Sequence, residues 1–256
     1  MSAQLRPLFV ASAKMFYRSL DNVLFAAFSP LVMLAVLALV QHLHFAFTHR
    51  SGSVDFFSFI AIGFAAFMAA HFNQDGTVGA ASGYRAQGVL KRIAVTPVST
   101  RTFIAAQVLV RLLAGFAETI VFLALAVAFG LHIHYTADLA WILPLVTVAL
   151  LTGTSFGFAI AGVAKNPEAA NQLNIALFTP VFLLAGIQYP LQGLPGDLPH
   201  LAKYLIPFAA PIQGFREAVA AHIAGDFAYL LLTSLAWLVL ALALAIRSYR
   251  LDERAV

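Results

Sequence analysis

The 256-residue sequence contains no cysteine and little charge, with Asp, Glu, Lys and Arg together making up 10% of it. Without cysteine there is neither a disulfide framework nor a thiolate metal site. With 61% hydrophobic residues and a mean hydropathy of +0.88, the chain is too apolar for one water-soluble core and its polar coat. Lipid is the solvent that fits. The two-residue alternation of barrel strands is missing as well, which excludes an outer-membrane barrel. Uncharged runs of about 18 residues or more recur instead, the length of a membrane-crossing helix. None of Lys14, Lys91, Lys165 and Lys203 follows a glycine, so the phosphate-cradling pattern Gly-x-x-x-x-Gly-Lys-Ser/Thr is absent. The net charge of +4 is spread over short segments with no dense basic patch, so no nucleic-acid partner is expected.

What is present reads as a single transmembrane domain over residues 1–256, an all-α integral membrane protein. Six spans are expected at about 23–40, 56–74, 103–130, 139–163, 172–190 and 227–246. All are helices, because in lipid the backbone of a single segment can satisfy itself only as a helix. Residues 1–22 carry Leu5, Leu8, Phe9, Phe16 and Leu20 at helical spacing, with Arg6, Lys14 and Arg18 between them. That pattern is an amphipathic helix lying at the interface with membrane lipid. Interrupted by Lys14, Arg18 and Asp21, it does not read as a cleavable signal peptide. Pro30, Pro144 and Pro180 fall inside or near spans and invite kinks.

Lys and Arg set the orientation. With the amino terminus inside, the inner segments hold most of the 15 basic residues, and the outer ones only Arg50, Lys203 and Arg216. Both termini are therefore expected in the cytoplasm, with the chain in the cytoplasmic (inner) membrane. Histidines distribute the other way: His42, His44, His49, His132, His134, His200 and His222 fall outside, and His71 near the inner end of a span. No carboxylate accompanies the pairs His42/His44 and His132/His134 at ligating spacing, so no metal site is expected.

The inner segment over 75–101 carries the most information. Val89, Leu90 and Ile93 form an apolar edge while Arg85, Lys91 and Arg92 point away, and Pro97 closes the run. A short basic amphipathic helix of this kind lies along the membrane face and offers charge to a cytoplasmic partner. In register, Arg85, Gly88, Leu90, Lys91, Arg92, Thr96, Pro97, Val98 and Ser99 resemble the second cytoplasmic segment of the membrane subunits of type-2 ABC exporters. Val89 stands where that family usually has Thr, and Ala86-Gln87 lacks its acidic character. The resemblance implies that this segment is the coupling helix, seated in a cleft of a separate ATP-binding cassette subunit.

Residues 177–217 are similar to the same family's carboxy-terminal signature, through Pro180, Gly186, Pro190, Pro195, Pro207 and Arg216, with Ala185 where Ser is common. So many prolines and glycines cannot continue as one straight helix. Residues 191–225 are expected as short re-entrant helices on the extracytoplasmic side, a shape tolerated only against protein or a water-lined cavity.

Glu118 lies deep in the third span, about 10 Å along the axis from Arg111 and too far for a direct pair. Thr152, Thr154 and Ser155 are expected at similar depth, and Glu118, Thr152 and Ser155 are the candidate substrate path. The resemblance implies a permease that works as a dimer, exports a drug, lipid or glycan, and binds no cofactor itself, ATP and Mg residing on the partner. The competing expectation is a proton-coupled secondary transporter using Glu118 and His71. Inverted repeats are not apparent, and one deep carboxyl is sparse for a proton relay.

Overall fold

The computed structural model describes residues 7–14, 31–32, 34–37, 39, 56–96, 100–131, 133, 137–187, 191, 195–219 and 227–249. Every regular element among them is helical. Residues 7–14 and the described part of 31–39 are helical. Most of the expected first span and of the interfacial helix lies outside the described residues. The remaining elements are α1 (Phe56–Ala86), α2 (Val89–Ala94), α3 (Thr100–Ala128), a 3-10 turn (Ala137–Trp141), α4 (Ile142–Val163), α5 (Pro167–Leu184), α6 (Leu198–Leu205), α7 (Ala209–Val219) and α8 (Phe227–Ser248).

Four helical stretches are long and apolar enough to cross a membrane: Phe57–Ala86, Thr102–Ala128, Asp138–Val163 and Phe227–Ser248. They make the chain a multi-pass membrane protein. Helix α5, which covers most of the expected span 172–190, is not among the four, since Asn171, Gln172 and Asn174 dilute its hydropathy. It starts earlier because the Asn166 side chain accepts a hydrogen bond from the Ala169 N–H at 2.7 Å and Pro167 fills the first turn. It ends earlier because the chain turns at Gly186, with φ of 75°.

Helix α1 also departs from the expected 56–74. It runs to Ala86 without a break. The polar run Asn73-Gln74-Asp75-Gly76 reads as a loop in sequence, yet here it lies within the helix because its neighbours in space satisfy it. This helix is the axis of the bundle, packing against α3, α4, α5 and α7. In its most apolar window 76% of the residues are buried, against 17% for α8. Helix α8 therefore lies at the edge, presenting Leu232, Val239, Leu240 and Ile246 outward against α4 and α7 on its inner side. Exposed aliphatic surface of that kind suits lipid.

The closest helix contact is α1 against α4. Gly153 faces the backbone of Ala70 so closely that a Cβ there would collide with its carbonyl, and one turn on Gly157 meets Gln74 O and Thr77 Cβ. The sequence Gly153-Thr154-Ser155-Phe156-Gly157 is a small-xxx-small stripe. Two helices can approach this closely only where side chains are missing. Gly162, one further turn along α4, likewise abuts the backbone of Ser248 and Tyr249 at the end of α8.

Between the α5 end and α8 the chain folds into α6 and α7, in agreement with the break expected from its prolines. Pro207 precedes Phe208, a non-glycine residue with φ of 69°. A bulky residue in that region is strained and is held only by its surroundings. Phe208 is buried and meets the Phe156 ring edge-on at 6.1 Å. Trp237 Nε1 donates to Tyr204 O at 3.1 Å, which ties α6 to α8.

Candidate functional site

At one end of the bundle α1 breaks at Gly88, whose φ of 65° is left-handed, and restarts as the six-residue helix α2. The basic motif therefore forms an elbow. Lys91 and Arg92 are exposed on α2, and Arg92 Nη2 donates to Gln87 O at 2.6 Å across the bend. Leu90 packs against the cluster of Ala81, Ala161 and Tyr249, which anchors the apolar edge of α2 on the bundle. Thr96 Oγ1 and N–H both bond to Ile93 O, at 2.7 Å and 2.9 Å, and end the short helix. Pro97 lies outside the described residues.

Arg85 behaves differently from the other basic residues of the motif. Its Nη1 donates to the carbonyl of Ala161, to Gly162 O at 3.0 Å and to Ala164 O at 3.4 Å. These are the carbonyls left without intrahelical partners at the end of α4, where the helix dipole is negative. The elbow is thus fastened to α4 by a cation. Tyr249 adds a second tie, donating from its hydroxyl to Ala81 O at 3.3 Å. Burial pushes its phenol up to about 12, opposed in part by Arg85, so it stays neutral. Between elbow and the α4–α5 turn lies a cleft of about 320 Å³, lined by Ser82, Arg85, Ala86, Gly88, Leu90, Lys91, Ala161, Ala164, Lys165, Asn166 and Pro167.

About three helical turns inside the elbow lies a polar network. Asn73 Nδ2 donates to Thr154 Oγ1 at 2.9 Å and Leu150 O at 3.2 Å. Gln74 Nε2 donates to Asn174 Oδ1 at 2.7 Å, and Asn174 Nδ2 donates to an Asp75 oxygen at 2.9 Å. Arg111, buried on α3, donates to the carbonyl of Gly76. Helices α1, α3, α4 and α5 are thereby locked at one level. In a low-dielectric interior such a network holds its register because every broken bond leaves a costly orphan.

The hydroxyls of the candidate substrate path bond within their own helix. Thr152 Oγ1 and Ser155 Oγ each donate to a carbonyl one turn back, Val148 O and Leu151 O, both at 2.7 Å. Thr154 does the same to Leu150 O at 2.8 Å while accepting from Asn73. Glu118, half-buried on α3, receives no hydrogen bond from any described residue. The hydroxyls donate within their own helix because short hydroxyl side chains reach a carbonyl one turn back first.

A groove of about 410 Å³ opens between α1 and α5, with Met68, His71, Phe72, Asp75, Asn171, Asn174, Ile175, Phe178 and Thr179 on its walls. His71, in the middle of α1, stacks on Phe178 with ring centroids 3.7 Å apart, and its buried Nδ1 has no hydrogen-bond partner. Among the described residues no group of three or more His, Asp or Glu side chains is arranged to hold a metal. The pairs His42/His44 and His132/His134 lie outside the described residues.

At the opposite end Arg216 of α7 gathers the carboxy-terminal motif. Its guanidinium donates to Gly186 O at 2.6 Å, Ile187 O at 2.9 Å and Phe59 O at 3.2 Å and 3.3 Å, and lies 3.6 Å over the Phe59 ring. Among the described residues no carboxylate is involved. Gly186 supplies both the left-handed turn and a buried carbonyl past the end of α5 for the cation, and Gly63 leaves room for the guanidinium against α1. Pro180 lies inside α5 and Pro207 before the strained Phe208, whereas Pro190 is outside the described residues. Sequence reasoning missed the Arg85 and Arg216 carbonyl cradles, which only the fold assembles. It also passed over the Gly153/Gly157 stripe, whose four-residue spacing was legible.

The family model of ABC-2 type transporters matches residues 3–220 of the chain. No curated protein matches it.

Proposed function

Since the chain belongs to the ABC-2 type transporter family, we propose that it is the permease subunit of an exporter in the cytoplasmic membrane, driven by a separate ATP-binding subunit. The observation that carries this reading is the elbow. Helix α2 holds Lys91 and Arg92 on its exposed face, while Leu90 of α2 and Arg85 at the end of α1 fasten the two sides of the elbow to α4. A push on α2 from the cytoplasm would act directly on the end of α4, and through the Asn73–Thr154 and Gly153 contacts on α1. A tightly packed pair responds to such a push by moving as a unit.

Two such bundles would form the pathway as a dimer. Cargo is hydrophobic or amphipathic, of the drug, lipid or glycan classes. The α1–α5 groove supports this, because aromatic walls and a few polar groups along one channel suit a molecule with both characters. ATP and Mg belong to the partner, which performs the hydrolysis, and this chain serves as a transport subunit and not as an enzyme.

The test is the double charge reversal Lys91→Glu/Arg92→Glu. Association with the ATP-binding subunit, measured by co-purification and titration, should weaken by roughly tenfold or more, since like charges across a docking face cost several kcal/mol. Cargo-stimulated ATP hydrolysis should fall with it. Unchanged assembly and stimulation in the double variant would remove the elbow from the coupling mechanism.

A further inference from the structure

The groove between α1 and α5 carries a charge that the packing of the bundle does not require. Asp75 is the one carboxyl on its walls, and neither Lys nor Arg stands among the described lining residues. One Asp75 oxygen accepts from Asn174 Nδ2 at 2.9 Å. A neutral asparagine at position 75 would accept the same bond through its amide oxygen. The negative charge therefore has another use. Arg111 approaches this level from the α3 side, but its guanidinium donates to Gly76 O, and its field falls more strongly on Glu118 than on Asp75. Two carboxylates thus share one buried guanidinium, which leaves one negative charge unanswered.

The other walls suit the body of an organic cation. The His71 ring stacks on Phe178 with centroids 3.7 Å apart, Phe72 lies 6.2 Å from His71, and Met68 and Ile175 add apolar surface. Aromatic faces are negative and attract a cation held within about 6 Å of the ring. His71 itself adds no positive charge. An imidazolium carries a proton on each nitrogen, and the buried Nδ1 has no acceptor. Asn171 and Thr179 bring neutral oxygen acceptors to the same walls. On the reading that this groove receives cargo, we infer that it selects a lipophilic organic cation, its positive centre held beside Asp75 and its apolar body laid against Phe72, His71 and Phe178. An anion of the same shape meets repulsion from the carboxylate instead. A zwitterionic lipid headgroup is disfavoured as well, because it brings a phosphate for which the described walls hold no cation.

The test uses the full chain, purified in detergent without an ATP-binding subunit, and two ions of nearly the same shape and opposite charge, tetraphenylphosphonium and tetraphenylborate. Equilibrium dialysis measures saturable binding above partition into protein-free micelles. Wild type should bind tetraphenylphosphonium about tenfold or more tightly than tetraphenylborate, the effect of one carboxylate close to a partly buried charge. Asp75→Asn keeps the bond from Asn174 and should lose about tenfold in tetraphenylphosphonium affinity, while Asp75→Glu stays within about threefold of wild type. Asn171→Asp, at an exposed position on the groove wall, should tighten tetraphenylphosphonium binding. Asp75→Asn/Asn171→Asp should recover most of the loss, which a purely structural role for Asp75 does not predict. Thermal midpoints identify any variant that has failed to fold, and Asn171→Asp then decides alone. Equal affinity of wild type for the two ions, each displacing the other, leaves the groove standing as a cargo site and overturns the charge selection. Absence of saturable binding for both ions removes the groove as a cargo site as well. Unchanged tetraphenylphosphonium affinity in folded Asp75→Asn, or in Asn171→Asp, overturns the inference. Phosphatidylethanolamine should not displace tetraphenylphosphonium; if it does, the groove belongs to a lipid headgroup and the assignment is wrong. Lys91→Glu/Arg92→Glu should bind tetraphenylphosphonium as wild type does, so that loss of coupling and loss of selection are read apart.

Discussion

Removing the Arg216 guanidinium should detach α7 from both α1 and the end of α5. In Arg216→Met the carbonyls of Gly186 and Ile187 lose their donors at 2.6 Å and 2.9 Å. Both residues are past the end of α5, so no intrahelical N–H takes over, and Ile187 is fully buried. Hydrogen bonds to a charged group contribute about 1.5–3 kcal/mol each. The two short bonds together therefore account for about 3–6 kcal/mol, reduced by relief of a buried cation. The longer bonds to Phe59 O add less, because that carbonyl lies within helix α1. A net loss of about 3–5 kcal/mol is expected for Arg216→Met. Arg216→Lys keeps the charge but loses the planar fork and the stacking on Phe59, and should cost about 1–3 kcal/mol. Equilibrium unfolding in mixed micelles, with the slope against denaturant compared between variants, gives both numbers. A Met variant within about 1 kcal/mol of wild type, or Lys no better than Met, would refute the cradle as a source of stability.

Gly153→Val forces a side chain into the Ala70 backbone and should cost about 1–3 kcal/mol or more and impair transport, whereas Gly79→Ala, with nothing within 4 Å, should be neutral or slightly stabilising; equal effects in an unfolding titration would dismiss the close α1–α4 contact. Orientation is best read at Val95, which is 87% exposed, because Ser82 is buried and a cysteine there would be silent on either side. Cysteine at Val95 should resist an impermeant thiol reagent added outside intact cells while cysteine at His200 reacts, and the reverse pattern would invert the topology. Glu118→Gln keeps hydrogen bonding and removes the proton, so ATP-driven transport in proteoliposomes should largely survive. Transport that needs a pH gradient, ignores ATP and vanishes in that variant would establish the proton-coupled alternative.

Sequence alone determined the class of this protein. Long uncharged runs leave helices in lipid as the solution, and spacing of Leu90, Ile93, Lys91 and Arg92 was enough to place a short amphipathic helix, whereas the break at Gly88 before it came from the structure. Proline density between residues 180 and 211 was enough to forecast α6 and α7. Each of these is a local property, set by backbone chemistry within a turn or two. What tertiary structure decided was the fate of the polar groups. Asn73-Gln74-Asp75-Gly76 reads as a loop until Asn174, Thr154 and Arg111 are brought to it from three other helices. Arg85 reads as one more surface cation until the end of α4 supplies its carbonyls, and Arg216 as an outer-loop charge until Gly186, Ile187 and Phe59 surround it. Thr152 and Ser155 turned to their own helix because a carbonyl one turn back is always within reach. A polar residue in a membrane protein must find a partner, and the sequence shows that need without showing the partner, because partners lie as many as 168 residues apart in the chain and only packing brings them together.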